Sequence, residues 1–368
     1  MQRQLENYLL DVITGRQKGV MPFLIKSVLW TLSWPYKALI TCRNLAFDQG
    51  WLRRYSPPVP VVMSIGNIVV GGTGKTPVTM LIAQEFYSEF LIAVLSRGYR
   101  SQAEKLAVPV ILSKGEGPLQ SAAFCGDEPF LIAQNFPKAY VIVGRDRHKA
   151  SDMAARAGAQ LILLDDGMQH RRLARDFEVV VMDTSDPFGQ GYFLPRGLLR
   201  EGISSLARAD LIILNHTVDR SMFVSMKEQL RRHSKAPVVG TRMEVEHVEG
   251  FDRKPIEPLK GKKVGIFCGI AHPEYFYRTV EQQGCQIVDC AFVADHKCLE
   301  PAMLETFARQ CREKGAELLL CTEKDKVKMA DNANLALTIA WVKMRLTIIE
   351  GKEEWSTFID QVKADLKR

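Results

Sequence analysis

The chain has 368 residues, 46% of them apolar, and a formal net charge of +7. That length suits two domains and that apolar fraction suits a substantial core; no low-complexity tract or internal repeat interrupts it. The eight cysteines form no C-x-x-C pair and no compact framework, so reduced thiols in a cytosolic protein are expected rather than a disulfide scaffold.

The charge excess sits at the start. Residues 1–56 carry eight basic side chains against three acidic ones, which points to an anionic partner, either membrane or nucleic acid. Residues 20–40 choose between them. On a helix, Leu24, Ile25, Val28, Leu29, Leu32, Leu39 and Ile40 form one broad apolar face, while Lys26, Ser33 and Lys37 fall opposite and Phe23, Trp30 and Trp34 lie toward the polar side. Lysines flanked by tryptophans beside an aliphatic face suit a helix lying on an anionic membrane surface; nucleic acid would favour a hydrophilic basic stripe. Pro35 is expected to kink or end the helix. Lys26 and Lys37 leave no uninterrupted apolar run of roughly 18 residues, which argues against a spanning helix, and no small-x-small site follows for a cleaved signal peptide. The plainer alternative is an amphipathic helix packed on its own domain.

Residues 61–77 read as a strand, a glycine-rich turn and Gly74-Lys75-Thr76 opening a helix. Glycines at Gly71, Gly72 and Gly74, with Thr73, let backbone N–H groups turn toward phosphate oxygens; Lys75 adds a mobile positive charge and Thr76 a hydroxyl that can ligate Mg²⁺. The helix start offers its positive dipole end to the same phosphates. The P-loop spacing is imperfect, because Val69 stands where the first glycine falls. A second apolar strand over 90–95 ends in Ser96-Arg97-Gly98-Tyr99, at the strand edge where open α/β sheets bind ligands.

Downstream, Gly126-Asp127-Glu128-Pro129 opens an apolar helix, where the two carboxylates by themselves suit a cap and first-turn acid. A strand over 139–143 follows. Residues 161–164 are apolar and end in Asp165-Asp166-Gly167-Met168-Gln169-His170, the form of a strand that carries a carboxylate to the Mg²⁺ beside a P-loop threonine. Two more strands are expected at Phe177–Asp183 and 210–215. The long Gly/Pro-punctuated loop between them ends in Arg196-Gly197-Leu198-Leu199-Arg200-Glu201, where either arginine is a phosphate candidate. Near 240 the chain changes domain through a linking strand over 238–245. A second α/β unit follows, with strands Lys263–Cys268, Gln286–Phe292 and 318–321 each delivering polar residues at the carboxyl end: Gly269-Ile270-Ala271-His272-Pro273, Asp295-His296 and Thr322-Glu323-Lys324-Asp325. An isolated Asp-His is more often structural than catalytic.

As an ordered set over about residues 50–330, these segments resemble the tetraacyldisaccharide 4′-kinase family of lipid A biosynthesis, which also lacks the first P-loop glycine. The resemblance implies an α/β fold: a P-loop NTPase-like sheet flanked by helices, plus a smaller C-terminal α/β domain joined by a β-linker. It implies boundaries of 1–56 for a membrane-associating segment, 57–238 for the kinase domain and 239–368 for a domain closing over the active-site cleft. It implies transfer of the γ-phosphate of ATP, with Mg²⁺, to the 4′-hydroxyl of tetraacyldisaccharide 1-phosphate, giving lipid IV-A at the cytoplasmic face of the bacterial inner membrane. It carries over Asp127 as the group that activates the hydroxyl, with His296 pairing with it. Gly71, Gly72, Thr73, Gly74, Lys75 and Thr76 bind nucleotide, and Thr76, Asp165 and Asp166 hold metal. Glu128, Gln169, His170, Arg200 and Glu201 are further candidates for substrate, metal or supporting roles. No nucleic acid and no obligate protein partner is implied. The rival readings are a membrane-associated P-loop ATPase switch and a P-loop kinase of a soluble small molecule. Small departures, Arg100 after Ser-Arg-Gly-Tyr and Ala271-His272 before Pro273, touch only loop shape.

Overall fold

Short, almost wholly apolar strands buried along their length make a parallel sheet the natural outcome, since both faces must be covered by helices. A computed structural model describes residues 2–250, 255–256, 259–270, 273–293, 299–329 and 335–368. Its strands are β1 Val61–Gly66, β2 Ile92–Ser96, β3 Val110–Lys114, β4 Tyr140–Val143, β5 Leu161–Asp165, β6 Phe177–Asp183, β7 Leu211–Asn215, β8 Val238–Gly250, β9 Lys263–Cys268, β10 Gln286–Phe292, β11 Leu318–Thr322 and β12 Thr338–Glu350. The chain forms two compact units: residues 1–97, 146–242 and 348–368 make the first, and residues 98–145 and 243–347 the second. The linking strand expected at 238–245 is β8, and the first unit ends within it at Arg242. The stretch 98–145 groups with the second unit, and the final helix, Lys352–Leu366, returns to the first.

In the first unit β7, β6, β1, β5 and β2 lie side by side in that order, all parallel, and the start of β8 adds to β7. The register pairs Ile65 with Asp165, so the carboxylate at the end of β5 stands level with the point where β1 gives way to the glycine turn. The helix Lys75–Phe86 follows β1 directly. The last helix is fixed on the same unit by Trp355, whose indole N–H donates to Glu85 at 3.1 Å, and by Phe358, which meets Phe177 edge-on at 5.6 Å.

In the second unit β10, β9, β11 and β12 run parallel in that order. Alternate residues serve opposite faces, as the period of two requires: Val264, Ile266 and Cys268 join Phe276 and Val280 on one side, while Phe267 joins Leu304, Phe307 and Cys311 on the other. An antiparallel pair, β3 with β4, carries a bulge between Ile111 and Ser113. Sequence patterning does not reveal β3 or β12; β3 is a short strand, part-exposed at both ends, and β12 mixes half-exposed polar positions into a 13-residue run.

Residues 20–48 form one helix, Val20–Asp48, that runs through Pro35 without ending. Contacts beyond the proline offset the hydrogen bond it removes: the Tyr36 hydroxyl donates to the Arg200 carbonyl at 3.2 Å, and the Asn44 amide to Glu201 at 2.7 Å. The inward stripe passes through Pro22, Ser33 and Phe47, with Lys26, Tyr36 and Asn44 half-buried along it. The expected apolar face therefore divides. Ile25, Leu29 and Ile40 are half-covered, whereas Leu24, Val28, Leu32 and Leu39 stand in the open beside Phe23, Trp30 and Trp34. No described helix is long and apolar enough to cross a membrane.

Candidate active site

The phosphate loop is built on the buried end of β1. Asn67 has no exposed surface, and its side-chain amide donates to the Thr73 hydroxyl at 2.9 Å. From the other side the Asn215 amide, at the end of β7, donates to the Thr73 carbonyl at 3.1 Å. Gly74 takes a left-handed backbone, φ 82°, as it caps the helix, and a Cβ there would lie 1.9 Å from the Asn215 amide nitrogen; only glycine meets both demands. Lys75 and Thr76 occupy the first helical turn. Val69 explains the missing glycine. Its side chain is buried, it bridges Leu199, and neighbouring Val70 donates its N–H to Leu198 at 2.7 Å while Arg200 donates to Ile68 at 2.8 Å. The chain at 68–70 is paired like a short strand, a role that favours a β-branched residue over glycine.

Asp166 adopts a left-handed backbone, φ 54°, which carries its carboxylate toward Lys75 at 3.6 Å. Arg200 donates to both Asp166 oxygens, at 2.9 and 3.0 Å, and to Gln169 Oε1 at 3.0 Å; the Gln169 amide in turn reaches the Asn67 carbonyl at 2.8 Å. Burial, the largest single influence on the Asp166 carboxyl, pushes its pKa upward. Lys75, Arg200 and the Arg200 hydrogen bond together outweigh it and hold the group below the usual carboxylate range. Of the two loop arginines, Arg200 thus belongs to the phosphate-loop network, while Arg196 stacks on Tyr192 at 4.3 Å.

Asp165 is buried, accepting from Ser96 at 3.1 Å and Thr79 at 3.4 Å. Arg147, itself buried, donates to the Asp165 carbonyl at 3.3 Å. Thr76 Oγ1 and the carboxylates of Asp165 and Asp166 are hard oxygen donors of the kind Mg²⁺ takes beside phosphates, so the residues fit that ion. Among the described residues no group of three or more His, Cys, Asp and Glu is placed to hold a metal ion.

The remaining first-unit candidates face inward. Glu201 has no exposed surface and holds Asn44 at 2.7 Å, Arg208 at 2.9 Å and Arg43 at 3.7 Å, which makes it an anchor for the Val20–Asp48 helix. His170 meets the His148 ring edge-on at 6.0 Å, and its Nε2 is buried without a hydrogen-bond partner. Burial above all, with Arg147, His148 and Arg175 adding, lowers its pKa to about 4, so this imidazole stays neutral.

In the second unit Asp127 opens the helix Asp127–Asn135. Gly98 lies behind it with a left-handed backbone, where a Cβ would sit 2.4 Å from Val143 and 2.8 Å from the Cys125 carbonyl. The Asp127 carboxylate, 14% exposed, stands 3.7 Å from Lys324 and 3.6 Å from Lys328. Glu128 shares Lys324 at 3.7 Å. Asp325, 1% exposed, takes the Gly269 N–H at 2.9 Å and the Thr322 hydroxyl at 2.6 Å and lies 3.6 Å from Lys328. His296, expected to pair with Asp127, lies outside the described residues. Sequence reasoning misses Lys324, Lys328, Asn215 and Tyr36. Lys324 stands inside a recognised motif without an assigned role, and the spacing of four to Lys328 is the one sign that both address the same neighbour.

Residues 25–364 match the family described as Tetraacyldisaccharide-1-P 4'-kinase. The chain belongs to that family. Among its relatives, the tetraacyldisaccharide 4'-kinase of Halothermothrix orenii is 32% identical over 346 residues, 90% of either chain. That of Anaeromyxobacter sp. (strain K) is 36% identical over 330 residues, 87% of this chain and 86% of its own. A crystal structure of LpxK from Aquifex aeolicus in complex with ATP superposes with a TM-score of 0.74 at 25% identity, covering 93% of this chain and 99% of that one. Family and fold thus agree with the sequence-derived expectation, and neither favours the switch or the soluble-substrate reading.

Proposed function

We infer that this family member is an ATP-dependent phosphotransferase. It moves the γ-phosphate to the 4′-hydroxyl of tetraacyldisaccharide 1-phosphate, giving lipid IV-A. The observation that carries the reading is the phosphate-loop network: a strand, a left-handed glycine, Lys75 at the helix start, and Asp166 held between Lys75 and Arg200. Phosphoryl transfer asks mainly for positioning and charge neutralisation. The loop N–H groups and Lys75 take the β- and γ-phosphates. Thr76 with one or both of Asp165 and Asp166 would hold Mg²⁺, which would neutralise phosphate charge. Asp127 accepts the hydroxyl proton, and His296 pairs with it. Glu128 and Gln169 support substrate and loop.

A substrate with four acyl chains stays in a bilayer, so the enzyme has to come to it. The open row Leu24, Val28, Leu32 and Leu39, with Phe23, Trp30 and Trp34 alongside and Lys37 at the helix surface, supports peripheral docking through residues 1–56 on an anionic leaflet. This reading puts the protein at the cytoplasmic face of the inner membrane. Exchanging Leu24, Val28 and Leu32 for Glu releases protein from anionic vesicles in a flotation assay; unchanged flotation removes this helix as the anchor.

The reaction itself is tested with ATP labelled at the γ-phosphate and tetraacyldisaccharide 1-phosphate in detergent micelles. Label on the extracted lipid, at the 4′ position, is the expected outcome. ATP hydrolysis indifferent to the lipid, with no labelled product, overturns the reading.

A further inference from the structure

Asp127 sits in a pocket of charge that the proposed role does not by itself demand. Two ammonium groups address the same oxygen, Oδ2: Lys324 Nζ at 3.7 Å and Lys328 Nζ at 3.6 Å. Neither lysine stands loosely beside it. Lys324 is shared with Glu128 Oε1 at 3.7 Å. Lys328 is held between Asp127, the buried Asp325 carboxylate at 3.6 Å and the Gly269 carbonyl at 3.5 Å. Asp325 is fixed in turn by the Gly269 N–H and the Thr322 hydroxyl. Among the described residues, the charged side chains that meet this corner are Glu128 from the helix of Asp127, then Lys324, Asp325 and Lys328 from residues 322–329. Glu323 points elsewhere, to the Asn135 amide at 3.1 Å.

We propose that Lys324 and Lys328 are positioning residues for phosphoryl transfer, holding the Asp127 carboxylate ionised and in one orientation, with Asp325 fixing Lys328. The proposal rests on the reading of Asp127 as the acceptor of the hydroxyl proton. A mostly buried carboxylate left alone favours its protonated form, and a protonated acid cannot accept from the sugar hydroxyl; opposite charges within about 4–6 Å reverse that preference. In a loose transition state the hydroxyl needs an ionised, correctly aimed acceptor more than a strong base. Two cations on one oxygen supply both. Lysine suits the task, because a point charge on a flexible stem follows the carboxylate, while a guanidinium fork would lock both oxygens.

The test is the pH dependence of kcat/KM for the lipid acceptor, measured on the full-length protein with ATP in detergent micelles. The variants are Lys328→Met, Lys324→Met and Lys328→Arg, with Asp127→Asn alongside. Removing a cation raises the pKa of the carboxylate, so the acid limb moves to higher pH. Each methionine variant is expected to shift that limb upward by about one pH unit and to lower kcat at neutral pH about tenfold, with KM for ATP unchanged; arginine at 328 restores the limb. A lysine that served only to brace the fold would lower Tm and leave the limb in place. Should Lys328→Met not fold, Lys324→Met carries the same test. Methionine variants that keep the parent acid limb and kcat, beside an inactive Asp127→Asn, overturn the lysine roles alone. An Asp127→Asn protein with parent kcat overturns the Asp127 reading itself, and the lysine roles with it.

Discussion

Two carboxylates, Asp166 and Asp127, each stand between two cations, and they are held in different ways. Asp166 is hydrogen-bonded through both oxygens to Arg200 and faces Lys75 at 3.6 Å. Asp127 has two lysines, each 3.6–3.7 Å from one oxygen. A guanidinium at hydrogen-bond distance binds both oxygens, whereas two ammonium groups at ion-pair distance fix charge and aim through one oxygen and leave the other free. The first arrangement suits a carboxylate that keeps a phosphate loop and its lysine in order. The second suits one that stays ionised yet exchanges partners when a hydroxyl arrives.

That contrast is open to direct attack. Asp127→Asn removes the proposed proton acceptor, and kcat for lipid phosphorylation is expected to fall about 10²–10⁴-fold. Activity within threefold of the parent would end the contrast at once. Arg200→Ala removes charge-assisted hydrogen bonds of about 1.5–3 kcal/mol, so ATP affinity, measured by calorimetry with a non-hydrolysable analogue, should weaken about 10–100-fold. An unchanged affinity would make the Asp166 network ornamental. Tyr36→Phe deletes one part-buried hydrogen bond from the Val20–Asp48 helix to the Arg200 carbonyl; denaturant unfolding should show a loss of about 1 kcal/mol. No loss would mean that Tyr36 and Arg200 are independent.

A further prediction, confined to acid pH, concerns His170. The unfolded imidazole takes a proton near pH 6.5 and the folded one only near 4. Between those values the unfolded chain binds more protons, so stability falls as pH falls from about 6.5 to about 4. His170→Phe should flatten Tm against pH in that window and leave Tm at pH 8 almost unmoved.

How far the sequence revealed these two sites follows from the same physics. Gly74, Lys75 and Asp165-Asp166 are legible because phosphate binding ties residue type to spacing along a single strand, turn and helix. The α/β pattern is legible because buried parallel strands are continuous apolar runs. Arg200 stands 34 positions from Asp166, and only the pairing of 198–200 with 68–70 joins them. Lys328 is further still from Asp127 in sequence, and a lysine in a polar stretch reads as a solvated surface until the fold half-buries it. The inward stripe of the Val20–Asp48 helix shows another limit. An apolar count finds the broad aliphatic face, while tertiary contacts through Tyr36 and Asn44 decide which part stays open.

The division of labour between the two carboxylates is tested most directly by measuring ATP-analogue affinity and single-turnover phosphate transfer in parallel for Asp166→Asn and Asp127→Asn. The expected result is that Asp127→Asn binds the nucleotide as the parent does and fails to phosphorylate the lipid, while Asp166→Asn loses nucleotide affinity. The reverse pattern, with Asp127→Asn weak for nucleotide and competent in transfer once saturated, would contradict it.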